Sequence, residues 1–177
     1  MKQSQIQRRT KCLTVSALLS ALGVVLLALG SFLDTLDLSV AALASFFCIY
    51  AVIELRGWYP WAIWAVTAGL SFLLLPQKSP ALFYLFLGIY PMLKEKIEKL
   101  HIVAAWVLKF VWLHASGVLI FLGLRFLFAP NTKLDSRWWF LAILYVAVVF
   151  CFVLYDIALS RLITFYFARL KGRLGIK

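Results

Sequence analysis

Stretches of almost uninterrupted apolar residues, parted by short clusters of charge, proline and glycine, constrain this chain more than any other feature. A helix needs about 20 predominantly apolar residues to cross a bilayer, so 177 residues allow roughly six crossings with short loops. The segments read Cys12–Leu33, Leu38–Ile53, Trp58–Leu75, Ser79 to about Leu93, Ile102–Phe128 and Trp138 to about Ala158, the last extending helically to about Phe167. Their breakers are Asp34-Thr35-Leu36-Asp37, Glu54 with Arg56-Gly57, Pro76-Gln77-Lys78, a charged run after Leu93, and Ala129-Pro130-Asn131-Thr132. Ser79-Pro80 reads as an N-cap followed by proline in the first turn, and Pro91 is expected to bend the fourth segment near its end. Composition excludes the alternative of a soluble monomer: 64% of residues are hydrophobic and 14% charged, against about 45–50% and a quarter in soluble domains. Only helices satisfy their own backbone polar groups in lipid without closing into a barrel. The expected fold is all-α, a polytopic membrane protein forming one compact domain over residues 1–177, a bundle of six transmembrane helices.

The net charge of +11 is a topology signal, because the charges sit at segment ends instead of on one soluble basic face; a nucleic-acid partner is not expected. With six crossings both termini share a side. That side holds Lys2, Arg8, Arg9, Lys11, Arg56, Lys94, Lys96, Lys99, Arg161, Arg169, Lys171, Arg173 and Lys177, thirteen in all. The other holds Lys78, Lys133 and Arg137, and Lys109 and Arg125 lie within the fifth segment. Lys and Arg accumulate on the cytoplasmic side, so both termini are expected in the cytoplasm. The run Lys94–Lys99 carries Lys94/Glu98 and Glu95/Lys99 at i,i+4 spacing, suited to a solvated helical extension. The N-terminus imitates a signal peptide, but its apolar run of about 22 residues exceeds a signal h-region of 7–15 and reads as a retained crossing. Trp58, Tyr59, Trp61, Trp138 and Trp139 fall where interfacial anchors belong.

Ionisable groups at membrane depth are the functional suspects. At about 1.5 Å per residue from Ile102, Lys109 lies roughly 10 Å in, His114 roughly 18 Å and Arg125 roughly 35 Å. Lys109 is expected to snorkel to the cytoplasmic interface. His114, Gly117, Phe121 and Arg125 share one stripe; His114, the deepest ionisable group, is either a solute contact or a neutral imidazole bonded to a neighbouring helix. Asp156, on a stripe with Tyr145, Val149, Phe152 and Ser160, lies roughly 27 Å from Trp138 and is expected to pair with a basic residue or support packing. The cysteines Cys12, Cys48 and Cys151 lack metal or disulfide spacing and read as small buried hydrophobes. No paired deep carboxylates, zinc motif, nucleophile elbow or Gly-rich phosphate loop occurs, so neither an enzyme nor a cofactor is expected. A membrane-embedded enzyme would have only His114 and Asp156 to work with, and they lie at different depths.

Segment 1 reads Ser16-Ala17-Leu18-Leu19-Ser20-Ala21-Leu22-Gly23. Ala17/Ala21 and Ser16/Ser20 are each four apart, leaving a face nearly bare of bulk, where membrane helices dock. The docking partner is either the chain's own helices or another protein. Six helices in about 180 residues, both ends cytoplasmic, and Ala-xxx-Ala in the first helix resemble the substrate-binding S component of energy-coupling factor (ECF) transporters. The resemblance spans the chain in layout and rests on that one short motif. It implies a multi-pass protein of the bacterial plasma membrane that captures a small water-soluble, vitamin-like nutrient from outside. It implies docking, through Ala17 and Ala21 with Ser16 and Ser20 beside them, on a transmembrane T component whose ATPases supply the energy. It also implies an outward-facing solute site, nominating Asp34, Asp37, Tyr84, Arg125, Asn131 and Trp138 beside His114. The alternative is a non-transporting scaffold, similar in size and layout to the rod-shape-determining membrane protein D family.

Overall fold

The computed structural model describes residues 2–33, 36–55, 57–127, 138–166 and 168. Among them are seven α-helices and no strand: α1 Lys2–Leu33, α2 Asp37–Glu54, α3 Tyr59–Leu74, α4 Ser79–Leu87, α5 Tyr90–Ile97, α6 Ile102–Leu127 and α7 Trp138–Phe165. Four stretches, Ile6–Leu33, Asp37–Glu54, Ile102–Ile120 and Tyr145–Phe165, are long and apolar enough to cross a membrane; Tyr59–Leu74 is apolar but shorter.

Three boundaries differ from the sequence reading. The first helix starts at Lys2, ten residues before its apolar run, with Thr10 and Thr14 returning their hydroxyls to the carbonyls of Ile6 and Thr10. The fourth segment is not one bent helix but two short ones. Pro91 has no N–H to donate to Leu87, and the break falls just before it, at Gly88-Ile89. The charged extension also stops early: α5 ends at Ile97, and Lys94, expected in solvent, is buried.

The chain divides into two compact units between Lys96 and Ile97. In the first, α1 packs on α2 and α3, and α2 on α4. On α1 the buried positions are Cys12, Ser16, Ser20, Gly23, Leu27, Gly30 and Ser31, which recur at steps of three and four and make one helical face. Five of the seven are serine or glycine, and their smallness sets the helix separation. A β-carbon on Gly23 would lie 2.9 Å from the Thr67 methyl of α3, and one on Gly30 would lie 3.1 Å from Val40 of α2. The Thr67 hydroxyl, fully buried, donates to the Ser20 carbonyl at 3.5 Å. At the far end of α1, Ser31 donates to the Gln77 carbonyl (3.2 Å) and accepts from the Gln77 N–H (3.1 Å), fastening α1 to the α3–α4 turn.

Between α3 and α4, the Trp64 indole N–H donates to the Leu85 carbonyl at 3.0 Å. Leu85 is in the last turn of α4, where carbonyls lose their intrahelical donors. Gly88 makes that approach possible, since a β-carbon there would sit 2.8 Å from the Trp64 ring. In the second unit, α6 and α7 run antiparallel, as their bridging contacts Lys109–Asp156 and His114–Tyr145 require.

Candidate functional site

The small-residue face of α1 resolves into two faces. Ser16 and Ser20 point into the first unit, Ser16 returning its hydroxyl to the Cys12 carbonyl at 2.8 Å. Ala17 and Ala21, one residue on and so about 100° round the helix, are exposed. They lie in a row that begins with Leu13 and ends with Val25, beside Leu18 and Leu22, all four large and exposed. The result is a shallow notch about two turns long, floored by methyl groups and walled by leucine and valine. Helix backbones approach closely at such notches in lipid.

The residues nominated for solute contact are dispersed. Asp34 and Asn131 lie outside the described residues, as do the side chains of Arg125, on α6, and Trp138, which opens α7. Asp37 is half-buried in the first turn of α2, where a carboxylate suits the positive end of the helix dipole. Tyr84 sits in the core, 1% exposed, with its phenol 3.2 Å from the Cys48 thiol. Cys48 is eleven residues along α2 from Asp37, roughly 16 Å, so Asp37 and Tyr84 do not make one site. Cys12 and Cys48 are buried as expected of small hydrophobes, whereas Cys151 is exposed on α7.

His114 lies on an exposed apolar face of α6 with Trp106, Phe110 and Val118. Its Nδ1 is 2.8 Å from the Phe110 carbonyl, one turn back, and its Nε2 is 2.9 Å from the Tyr145 hydroxyl of α7. A carbonyl only accepts, so Nδ1 carries the proton; in the neutral ring Nε2 then accepts from the tyrosine. Both ring nitrogens are thereby engaged within the second unit.

One buried ion pair joins two residues that the sequence showed only as separate suspects. Lys109 Nζ of α6 donates to Asp156 Oδ2 of α7 at 2.7 Å, and the two residues are 7% and 6% exposed. The same ammonium stands 5.2 Å from the centroid of the Trp106 ring and 4.0 Å from Glu98 Oε1, ahead of α6. A cation–π contact of this kind strengthens as water is withdrawn. The expected snorkelling is thus realised in direction, toward the N-terminal end of α6, but ends on a carboxylate of the neighbouring helix. Among the described residues no group of three or more His, Cys, Asp or Glu side chains comes together to hold a metal. Nothing in the sequence marked the Cys48–Tyr84 and Trp64–Leu85 contacts, because each joins residues from separate, uniformly apolar segments. Comparison with protein-family models, with curated proteins and with solved structures finds no match.

Proposed function

We propose that this chain is a multi-pass plasma-membrane subunit of the ECF S-component kind. It captures a small water-soluble nutrient and docks through α1 on a transmembrane T component served by cytoplasmic ATPases. On this reading α1, α2, α3, the broken α4–α5 pair, α6 and α7 make six crossings with both termini in the cytoplasm. The thirteen-to-three division of Lys and Arg supports that orientation. Reporter fusions at Arg56 and Gln77 test it: the first should report cytoplasm and the second the outside.

The observation that carries the reading is the double use of α1. Its serines and glycines are consumed by packing within the first unit, while Ala17 and Ala21 stay exposed as a notch of the right shape for another helix. Ala17→Trp with Ala21→Trp fills the notch without touching the inner face. Copurification of a T component and ATPases should then be lost while the melting temperature is unchanged; undiminished copurification refutes the docking assignment.

The scaffold reading shares the notch and drops the solute. The placement of Tyr84 in the core and the engagement of both His114 nitrogens favour it, since each removes a candidate solute contact. A ligand-induced rise in melting temperature across a panel of water-soluble vitamins supports capture, and its absence together with retained membrane partners supports the scaffold.

A further inference from the structure

We infer that Arg8, Arg9 and Lys11 form a collar on α1 that binds the headgroups of anionic phospholipids in the surrounding leaflet. The apolar run Cys12–Leu33 is about 22 residues, roughly 33 Å as helix, which fills a hydrocarbon core of about 30 Å. Helix α1 does not stop at that boundary. It begins at Lys2, so the residues ahead of Cys12 enter the headgroup layer in helical order. Lys11, Arg9 and Arg8 stand roughly 1.5, 4.5 and 6 Å beyond Cys12, within a layer roughly 5–7 Å thick on each side of the core. All three are exposed.

Residues 1–33 contain no aspartate or glutamate, and none of the three side chains is ion-paired to a described residue. Arg8 and Lys11 are i,i+3 neighbours whose like charges repel, so an outside anion relieves them. The other basic run is different, because Glu95 and Glu98 stand among Lys94, Lys96 and Lys99 and supply counter-charge. The shape of the collar selects lipid over a protein partner. A helix lying alongside α1 would meet a narrow stripe running along the axis. Here the charges occupy only about 4.5 Å of axis, yet at about 100° per residue they spread over about 160° of the circumference. That band is what a planar layer of headgroups meets. Anionic lipids belong to the cytoplasmic leaflet, where the proposed orientation puts this end of α1. The inference needs α1 to cross a bilayer and holds whether the chain captures a solute or serves as a scaffold.

The test reconstitutes the purified full-length chain in vesicles of equal parts phosphatidylcholine and phosphatidylglycerol. The chain is then extracted in a neutral detergent, and the lipids it retains are counted by native mass spectrometry. Phosphatidylglycerol should be retained about tenfold or more over phosphatidylcholine. Arg8→Gln with Arg9→Gln and Lys11→Gln should bring the two lipids to within about twofold, at an unchanged melting temperature, since glutamine is a good helix former. Lys96→Gln, which removes an exposed lysine of the other basic run, should leave the preference in place. The unmodified chain supplies a second arm: in about 1 M NaCl, where the screening length is about 3 Å, its preference should collapse. The collar is refuted if the unmodified chain retains both lipids equally, or if its preference survives the salt. It is refuted equally if the triple variant keeps the preference, or if Lys96→Gln abolishes it as fully. Loss of a copurifying acidic protein from the triple variant, with no lipid preference in the unmodified chain, would replace the lipid by a protein partner. Vesicle retention does not depend on orientation, so the lipid count and the reporter fusions fail separately.

Discussion

The two units pair their helices by different means. In the first, α1 approaches α2 and α3 through Ser20, Gly23 and Gly30, where missing side-chain atoms bring backbones together. In the second, α6 meets α7 through long polar side chains, Lys109 to Asp156 and His114 to Tyr145. The contrast follows from the solvent that such apolar helices require. In lipid, apolar surface gains nothing by leaving the surroundings, so helices associate through close van der Waals packing at small residues or through polar bridges. The first unit combines both means, adding the Thr67–Ser20, Ser31–Gln77 and Trp64–Leu85 bridges to its close packing. The second joins its helices by the two polar bridges, and the difference predicts which substitutions each will tolerate.

The largest effect should come from bulk in the first unit. Gly23→Leu places a branched side chain where a β-carbon alone already lies 2.9 Å from Thr67, and the chain should fail to accumulate as folded protein. Gly23→Ala should cost about 1–3 kcal/mol, the range for overpacking a close contact, as a lowered melting temperature. The matching change in the second unit should do the opposite. Gly117→Ala on α6 meets nothing within 4 Å, and replacing a helical glycine in open space stabilises by about 0.4–1 kcal/mol. Equal losses at Gly23 and Gly117 would erase the distinction between the units.

Charge should matter in the second unit on a scale close to that of bulk in the first. Lys109→Met removes the cation paired with the buried Asp156 carboxylate and should cost about 3–5 kcal/mol. Asp156→Leu added to it should restore most of that stability, because two apolar side chains of similar volume replace a buried ion pair at little or no net cost. A double variant as unstable as Lys109→Met alone would show that the carboxylate serves contacts other than the lysine.

Much of this architecture was legible in the sequence, and the illegible parts share a cause. The ends of α2, α3 and α6 fall within a residue or so of the apolar runs, since charge, proline and glycine mark where a hydrophobic segment stops. The start of α1 was hidden because the polar stretch before Cys12 is helical too, and a change in polarity marks a solvent boundary without ending a helix. Which way a helix faces was harder still. A soluble helix shows its buried side as an apolar stripe, but α2, α3 and α4 are apolar all round, and Tyr84 looked as available to a solute as to the core. Small residues carry the inward face instead: Ser16, Ser20, Gly23 and Gly30 spell it out on α1, one position away from the alanines that stay exposed. Lys109 and Asp156 were each conspicuous at depth, yet they stand 47 positions apart, and only the folded hairpin makes them a pair.

A smaller effect is expected from a single hydroxyl inside the first unit. Tyr84→Phe keeps the ring in place and removes only the hydroxyl beside Cys48. The loss should be about 0.5–1.5 kcal/mol, the usual net value of one buried hydrogen bond, and no solute affinity should change with it. A large fall in solute binding at constant stability would return Tyr84 to the capture site and count against the scaffold reading.

The smallest effect tests whether all polar bridges in the second unit are equal. Tyr145→Phe deletes the donor to His114 Nε2 but leaves Nδ1 on the Phe110 carbonyl, so the imidazole keeps its orientation. Both residues are exposed, and a hydrogen bond between membrane helices averages about 0.6 kcal/mol. The melting temperature should therefore fall only slightly, well short of the Lys109→Met loss. The difference has a physical origin: an exposed hydrogen bond leaves no buried charge behind when broken, whereas the buried ion pair does. A loss from Tyr145→Phe as large as that from Lys109→Met would mean that His114, not Lys109, sets the register of α6 against α7.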